Sequence, residues 1–236
     1  MIVSSFVLFV LANSPDVSPK EAFVQTLDTY AKLDSFSADL EHDNSSGLFS
    51  GKYQQHLEFK KGKGFRFVVT GLKGSRPDNV APDYYCDSEV VTTKGKFEGV
   101  RPINKDANTA PGYEVSGGVV MTWLLDSPMK TMFNTPPKGF DLKFSWGKRT
   151  EWHGQKVEEV VLTVVNEGVT SASYFIAPNH KHLVGYEWTR DGKTGITTYK
   201  NQKDNLAVDE KGFVPPVGFA ARRGIGFSGF SQFRPI

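Results

Sequence analysis

Residues 157–200 constrain the fold more than any other stretch of this chain. Val160, Leu162 and Val164 alternate with Val161, Thr163 and Val165; Tyr174-Phe175-Ile176, Leu183 to Thr189 and Ile196 to Tyr199 follow. Runs of β-branched and aromatic residues separated by turn residues are the signature of strands. The separators are Asn166-Glu167-Gly168, Pro178-Asn179-His180 and Asp191-Gly192. Asp-Gly between two such runs marks a tight hairpin, because both residues tolerate positive φ. The stretch therefore reads as an antiparallel meander, a scaffold that the rest of the chain must cover.

The same pattern recurs upstream. Phe36, Ala38 and Leu40 alternate with Ser37, Asp39 and Glu41; Tyr53, Gln55, Leu57 and Phe59 form a second alternating run, and Phe65, Phe67 and Val69 a third. Short polar turns at 43–47 and 60–64 join them, which favours antiparallel pairing. Tyr84 to Thr93 reads as one further strand, Phe97 to Val100 as its short return, and Leu142, Phe144 and Trp146 as another strand. Glu151 to Gln155 turns into the meander.

Two stretches break the period of two. Ser18-Pro19-Lys20-Glu21 is a helix start with a capping serine, proline in the first turn and a capping-box glutamate. Phe23, Leu27, Tyr30 and Ala31 then share one face, and the helix is expected to end near Leu33. Val115 to Leu125 is apolar on nearly all sides and predicts a short buried helix, although Gly117-Gly118 weakens it. Met129, Met132 and Phe133 follow in a predicted loop. This insert either plugs the hollow of a curved sheet, where methionine adapts to variable ligands, or packs as ordinary core.

The termini carry different signals. Ile2 to Ala12 is too short to span a bilayer, which needs about 20 residues. Its length suits the core of a secretory signal ending within residues 1–14, though no basic residue precedes Lys20; the alternative is a buried first strand. Residues 15–218 read as one domain, and 219–236 as a Gly/Phe/Arg-rich tail expected to be poorly ordered.

Composition excludes several functions. Lys plus Arg total 28 and Asp plus Glu 26, a formal charge of +2, which is not the balance of a nucleic-acid binder. The single cysteine, Cys86, excludes an internal disulfide and sits in an apolar run as an inert thiol. The 18 phenylalanines mean a thick core or an aromatic-lined cavity. His180 and His182 are two residues apart, but they follow Pro178-Asn179 and read as solvated turn residues rather than metal ligands; His153, before Gly154, reads likewise. Glu158 and Glu159 point to opposite strand faces and cannot act as an acid–base pair. No catalytic motif is present, so no enzyme, metal or cofactor is expected.

The order of features resembles a known family. A helix with Tyr30 near its end leads into Ser35 to Leu40; long strands and an apolar insert follow. The second half reads Phe175 to His180, Leu183 to Glu187, Tyr199-Lys200-Asn201 and Phe213-Val214-Pro215-Pro216. From Ser18 to Gly218 the chain resembles the LolA-like superfamily of periplasmic lipoprotein carriers, in its divergent bacterial branches. No position matches the buried, hydrogen-bonding arginine of the family's carrier. The resemblance implies an α+β fold: a curved, half-open antiparallel β-barrel of about 10–11 strands with helices plugging its concave face. It implies an exported, soluble, monomeric carrier or chaperone that holds acyl chains of lipid or lipoprotein, with a membrane receptor among its partners. A non-catalytic scaffold or envelope-stress sensor with a filled core is the alternative. By position, Val119, Val120, Met121, Trp123 and Leu124 of the insert, with Phe23 and Leu27 of the first helix, would line the apolar cavity.

Overall fold

A computed structural model describes residues 17–45, 50–71, 83–86, 90–94, 99–102, 118–126, 128–136, 138–166, 168–190 and 192–214. The expected signal segment, the tail and residues 72–82 and 103–117 lie outside them.

Helix α1, Pro19–Ala31, begins as the sequence predicts: Ser18 accepts from the Glu21 amide while the Glu21 carboxylate accepts from the Ser18 amide. Its buried residues are Ala22, Phe23, Thr26, Leu27 and Tyr30, one stripe at helical spacing. Three strands follow: β1 (Ser35–Asn44), β2 (Gly51–Lys60) and β3 (Gly64–Thr70). β1 runs through Asn44, past the expected start of its turn, and along most of its length alternate residues are buried.

The run from Tyr84 to Thr93 is not one strand. It divides into β4 (Asp83–Cys86) and β5 (Val90–Lys94), which pair antiparallel with each other. Three consecutive polar residues, Asp87-Ser88-Glu89, interrupt the apolar run and outweigh the β propensity on either side. The return strand is β6 (Gly99–Pro102), two residues later than expected. Helix α2 spans Gly118–Leu124, and the expected loop through Met129 is instead a 3-10 helix, Pro128–Phe133, started by its proline. β7 (Asp141–Trp146), the small hairpin β8 (Glu151–Trp152) and β9 (Gln155–Lys156), β10 (Glu158–Asn166), β11 (Gly168–Ile176), β12 (Leu183–Arg190) and β13 (Lys193–Asp204) complete the strands. β13 extends through polar residues beyond the expected end, because its amides pair with the start of β1. A 3-10 turn, Glu210–Phe213, closes the described chain.

Among the described residues, eleven strands form one antiparallel sheet in the order β6-β5-β4-β3-β2-β1-β13-β12-β11-β10-β7. Two meanders therefore meet at β1 and β13, the chain's most distant strand partners. The sheet is curved and does not close, giving an α+β half-barrel. α1 packs on β7, β10 and β11, and α2 packs chiefly on α1 and the first 3-10 helix. The main core lies between these helices and the sheet. A second, smaller core on the opposite face stacks Trp152 on Phe175 at 3.7 Å, with Val157 and Val184 beside them.

Candidate functional site: the covered concave face

Cross-strand register shows which side chains share the core-facing surface. One row crosses seven strands: Trp146, Val160, Tyr174, Tyr186, Thr197, His42 and Tyr53 are successive partners, with Trp146 exposed on the edge strand. The next row includes Tyr199, Leu40 and Gln55. The surface under the helices is thus aromatic and aliphatic, with hydroxyl, imidazole and amide groups set into it.

The helical cover meets this surface through rings. Phe23 of α1 lies 4.6 Å from Tyr174, 5.5 Å from Phe133 and 5.7 Å from Phe144, centroid to centroid. Trp123 of α2 lies 5.3 Å from Phe133 and donates its indole N–H to Asp28 of α1 at 2.8 Å. The residues expected from the family resemblance, Phe23, Leu27, Val119, Val120, Met121, Trp123 and Leu124, all fall in one core cluster. None is more than 8% exposed. The side chains of Met129 and Met132 lie outside the described residues.

The two ends of α1 are held differently. At its C-terminal end the Tyr30 hydroxyl donates to Gln202 Oε1 at 2.9 Å and accepts from the Leu183 amide at 2.9 Å. Gln202 returns a bond to the Leu183 carbonyl at 3.0 Å, and Thr29 Oγ donates to the Lys181 carbonyl at 2.7 Å. Burial pushes the Tyr30 phenol well above its ordinary range, so it stays protonated and able to donate. Further toward the N-terminus, among the described residues, Phe23 and Leu27 meet the sheet through apolar contact, and no hydrogen bond ties residues 19–27 to a strand.

The histidines are not simply solvated. His180, at φ 52° in its turn, points back to Glu158 at 2.6 Å, and His182 lies 3.0 Å from Asp204. His56 lies 2.7 Å from Asp39, which also accepts from Asn201. Their carboxylate partners on neighbouring strands were too distant in sequence to foresee. Among the described residues no group of three or more His, Cys, Asp or Glu side chains has the placement to hold a metal ion. No described helix is long and apolar enough to cross a membrane.

Sequence reasoning missed His42 and Gln55 as a pair. Both are buried, and His42 Nε2 and both polar atoms of the Gln55 amide lack a hydrogen-bond partner. The signal was available: His42 extends the apolar series Phe36-Ala38-Leu40, and Gln55 stands between Tyr53 and Leu57. Polar residues at core positions of a period-two pattern mark either a buried network or a binding group.

These features define an open antiparallel half-barrel whose concave face is covered by a pair of short helices. The structure is similar to those of Mycobacterium tuberculosis lipoprotein LppX (12% identity, TM-score 0.47, covering 81% of this chain and 98% of that one) and LprF from Mycobacterium bovis (11%, 0.48, 81% and 94%). It is also similar to the LolA superfamily protein NE2245 from Nitrosomonas europaea (6%, 0.39, 84% and 98%). No protein-family model and no curated protein matches the sequence. At these identities no residue role transfers from the similar structures.

Proposed function

We infer that this chain is an exported carrier that shelters acyl chains of a lipid or lipoprotein between its helical cover and the concave sheet. The observation that supports this most is the asymmetric attachment of α1. Hydrogen bonds pin its C-terminal end at Tyr30 and Thr29, whereas Phe23 and Leu27 rest on the sheet by apolar contact alone. Such a helix can pivot about Tyr30 without leaving a buried polar group unpaired. The Trp123–Asp28 bond makes α2 travel with it.

Magnitudes favour exchange of the cover for a ligand. Lifting Phe23, Leu27 and Trp123 off the core re-exposes three large side chains, about 5–9 kcal/mol in all. An acyl chain of about 16 carbons gains about 12 kcal/mol from burial at about 0.8 kcal/mol per methylene. Val119, Val120, Met121 and Leu124 would line the chain's path beside these three. The expected setting is the periplasm or another exported space, as a monomer that receives its cargo from a membrane partner. No catalytic step is proposed.

A second reading has its own observation. The seven cavity candidates fill one another's space, with ring spacings typical of a finished core. On that reading the protein is a scaffold or sensor that binds through its surface.

Quenching of tryptophan fluorescence by bromine-labelled fatty acids separates the two. A carrier shows saturable quenching that falls sharply in Trp123→Phe. A filled scaffold shows no quenching in either protein.

A further inference from the structure

We propose that His42 and Gln55 form a polar subsite on the concave face that binds a neutral, hydroxyl-bearing head group of an acyl lipid, such as a monoacylglycerol. The inference rests on the carrier reading and names the ligand class for it.

The subsite is built from three adjacent strands. His42 on β1 faces Thr197 on β13 and Tyr53 on β2, and Gln55 on β2 faces Leu40 directly and is the diagonal neighbour of His42. The His42 ring stacks on Tyr53 at 4.6 Å with 27° between planes, and its Nδ1 lies 3.0 Å from Thr197 Oγ1. Stacking and that hydrogen bond fix the ring, leaving Nε2 pointing away from Thr197. Gln55 is fully buried and His42 is 4% exposed. Yet the Gln55 carbonyl oxygen, the Gln55 amino group and His42 Nε2 all lack partners.

Three unpartnered atoms in one buried patch are costly. Each loses its water on folding and gains no bond in return. An apolar residue at either position would serve the core better. A bound group that pairs with them removes the cost, and the atoms present define that group. The Gln55 amino group donates and its oxygen accepts, so the ligand needs both an acceptor and a donor. A hydroxyl beside an ester carbonyl supplies both.

The charge of the ligand follows from what surrounds the subsite. Asp39, Glu41, Asp43, His56 and Lys200 take the alternate positions of these strands, on the opposite face, and pair there with one another or with Lys52. Among the described residues no charged side chain shares the row of His42. Burial pushes the His42 imidazole down to about 3, opposed less strongly by the Gln55 side chain, which approaches the ring without the geometry of a formed hydrogen bond, so the ring is neutral at physiological pH. A phosphate or an ammonium placed here would be buried without a counter-ion. His42 and Gln55 are sealed from solvent, so the head group reaches them as part of a ligand that enters the core.

The test compares three probes of equal acyl length on the full chain: 1-monooleoylglycerol, methyl oleate and oleoyl lysophosphatidylglycerol. Monooleoylglycerol is expected to bind at least about tenfold tighter than either of the others, the effect of leaving one buried polar pair unmade. Gln55→Met and His42→Leu are each expected to reduce monooleoylglycerol affinity about tenfold and to leave methyl oleate unchanged. Gln55→Met removes an unpartnered amide and should fold at least as stably as the parent, which its thermal midpoint verifies. Equal binding of monooleoylglycerol and methyl oleate by the unmodified chain overturns the subsite and leaves the carrier reading standing. So does tighter binding of the charged lysolipid. No binding of any probe overturns both.

Discussion

Two polar clusters, each around a buried side chain, occupy opposite faces of one sheet, and they are finished to different degrees. On the convex face Glu159 accepts from the Arg149 side chain at 2.7 and 2.9 Å and from the amides of Lys148 and Arg149 at 3.0 and 2.9 Å. Arg149 also reaches Glu187 and lies over the Phe175 ring at 4.5 Å. Gly147 makes room for this carboxylate; a Cβ there would come within 2.1 Å of it. On the concave face His42 and Gln55 are buried as deeply as Glu159 and left incomplete. The Glu159 carboxylate, with both oxygens paired, holds the strands together, although Trp152 Nε1 on the same face lacks a partner. The open valences on the concave face are those of the proposed subsite.

The largest expected effect is at the Glu159–Arg149 cluster. Arg149→Met leaves Glu159 buried without its counter-charge and should cost about 3 kcal/mol, lowering the thermal midpoint by roughly 6–12 °C in a domain of this size. A change within about 2 °C would show that the cluster is decorative.

The pH dependence of stability separates the clusters next. Burial alone would raise Glu159, but the hydrogen bonds and charge of Arg149 outweigh it and hold the carboxyl below its ordinary range. Its contribution is therefore full at neutral pH and is lost only as pH falls through the carboxylate range. His42 acts earlier. Its folded value is about 3 against an ordinary 6.5, so below pH 6.5 the unfolded chain binds a proton that the folded chain refuses. Stability falls from there by at most about 1.4 kcal/mol per pH unit. Denaturant titrations at pH 7 and 5 should show this slope in the parent protein and lose it in His42→Leu. An unchanged slope in the variant would assign the effect elsewhere.

Tyr30→Phe tests the pivot. It strips the Leu183 amide and Gln202 of a partner and should cost about 2 kcal/mol. Hydrogen exchange at Leu183 and along α1 should accelerate together. Acceleration at Leu183 alone would mean that the helix is held by its apolar face and not by this anchor. The smallest effect has the opposite sign: Gln55→Met should raise stability by about 1 kcal/mol, read as a shift of the urea midpoint. A loss of stability there would mean that the Gln55 amide is satisfied, and the contrast between the two faces would disappear.

The elements were legible in the sequence where local pattern and tertiary demand agreed. The Ser18–Glu21 box, the alternation of β1 to β3 and the antiparallel pairing of β12 with β13 each carry their own cause. The split at residues 87–89 was hidden because β propensity on both sides overrode a short polar break. The polar extension of β13 was hidden because its support comes from β1, more than 150 residues away. The candidate site divides in the same way. The apolar residues of α1 and α2 showed themselves as periodic stripes, whereas the His180–Glu158 pair and the His42–Gln55 patch exist only once register places them together. Gly195 is a similar case: a Cβ there would meet the Trp188 ring at 2.2 Å, a constraint with no local trace.

The central claim is that the helical cover yields to an acyl chain. Native mass spectrometry of the protein purified from an exporting host, with lipid extraction of the same sample, tests it most directly. Added mass that extracts as an acyl lipid or lipopeptide, and that diminishes in Trp123→Ala, is the expected result. A bare chain that gains no mass when acyl lipids are added would contradict it and leave the filled scaffold as the description of this protein.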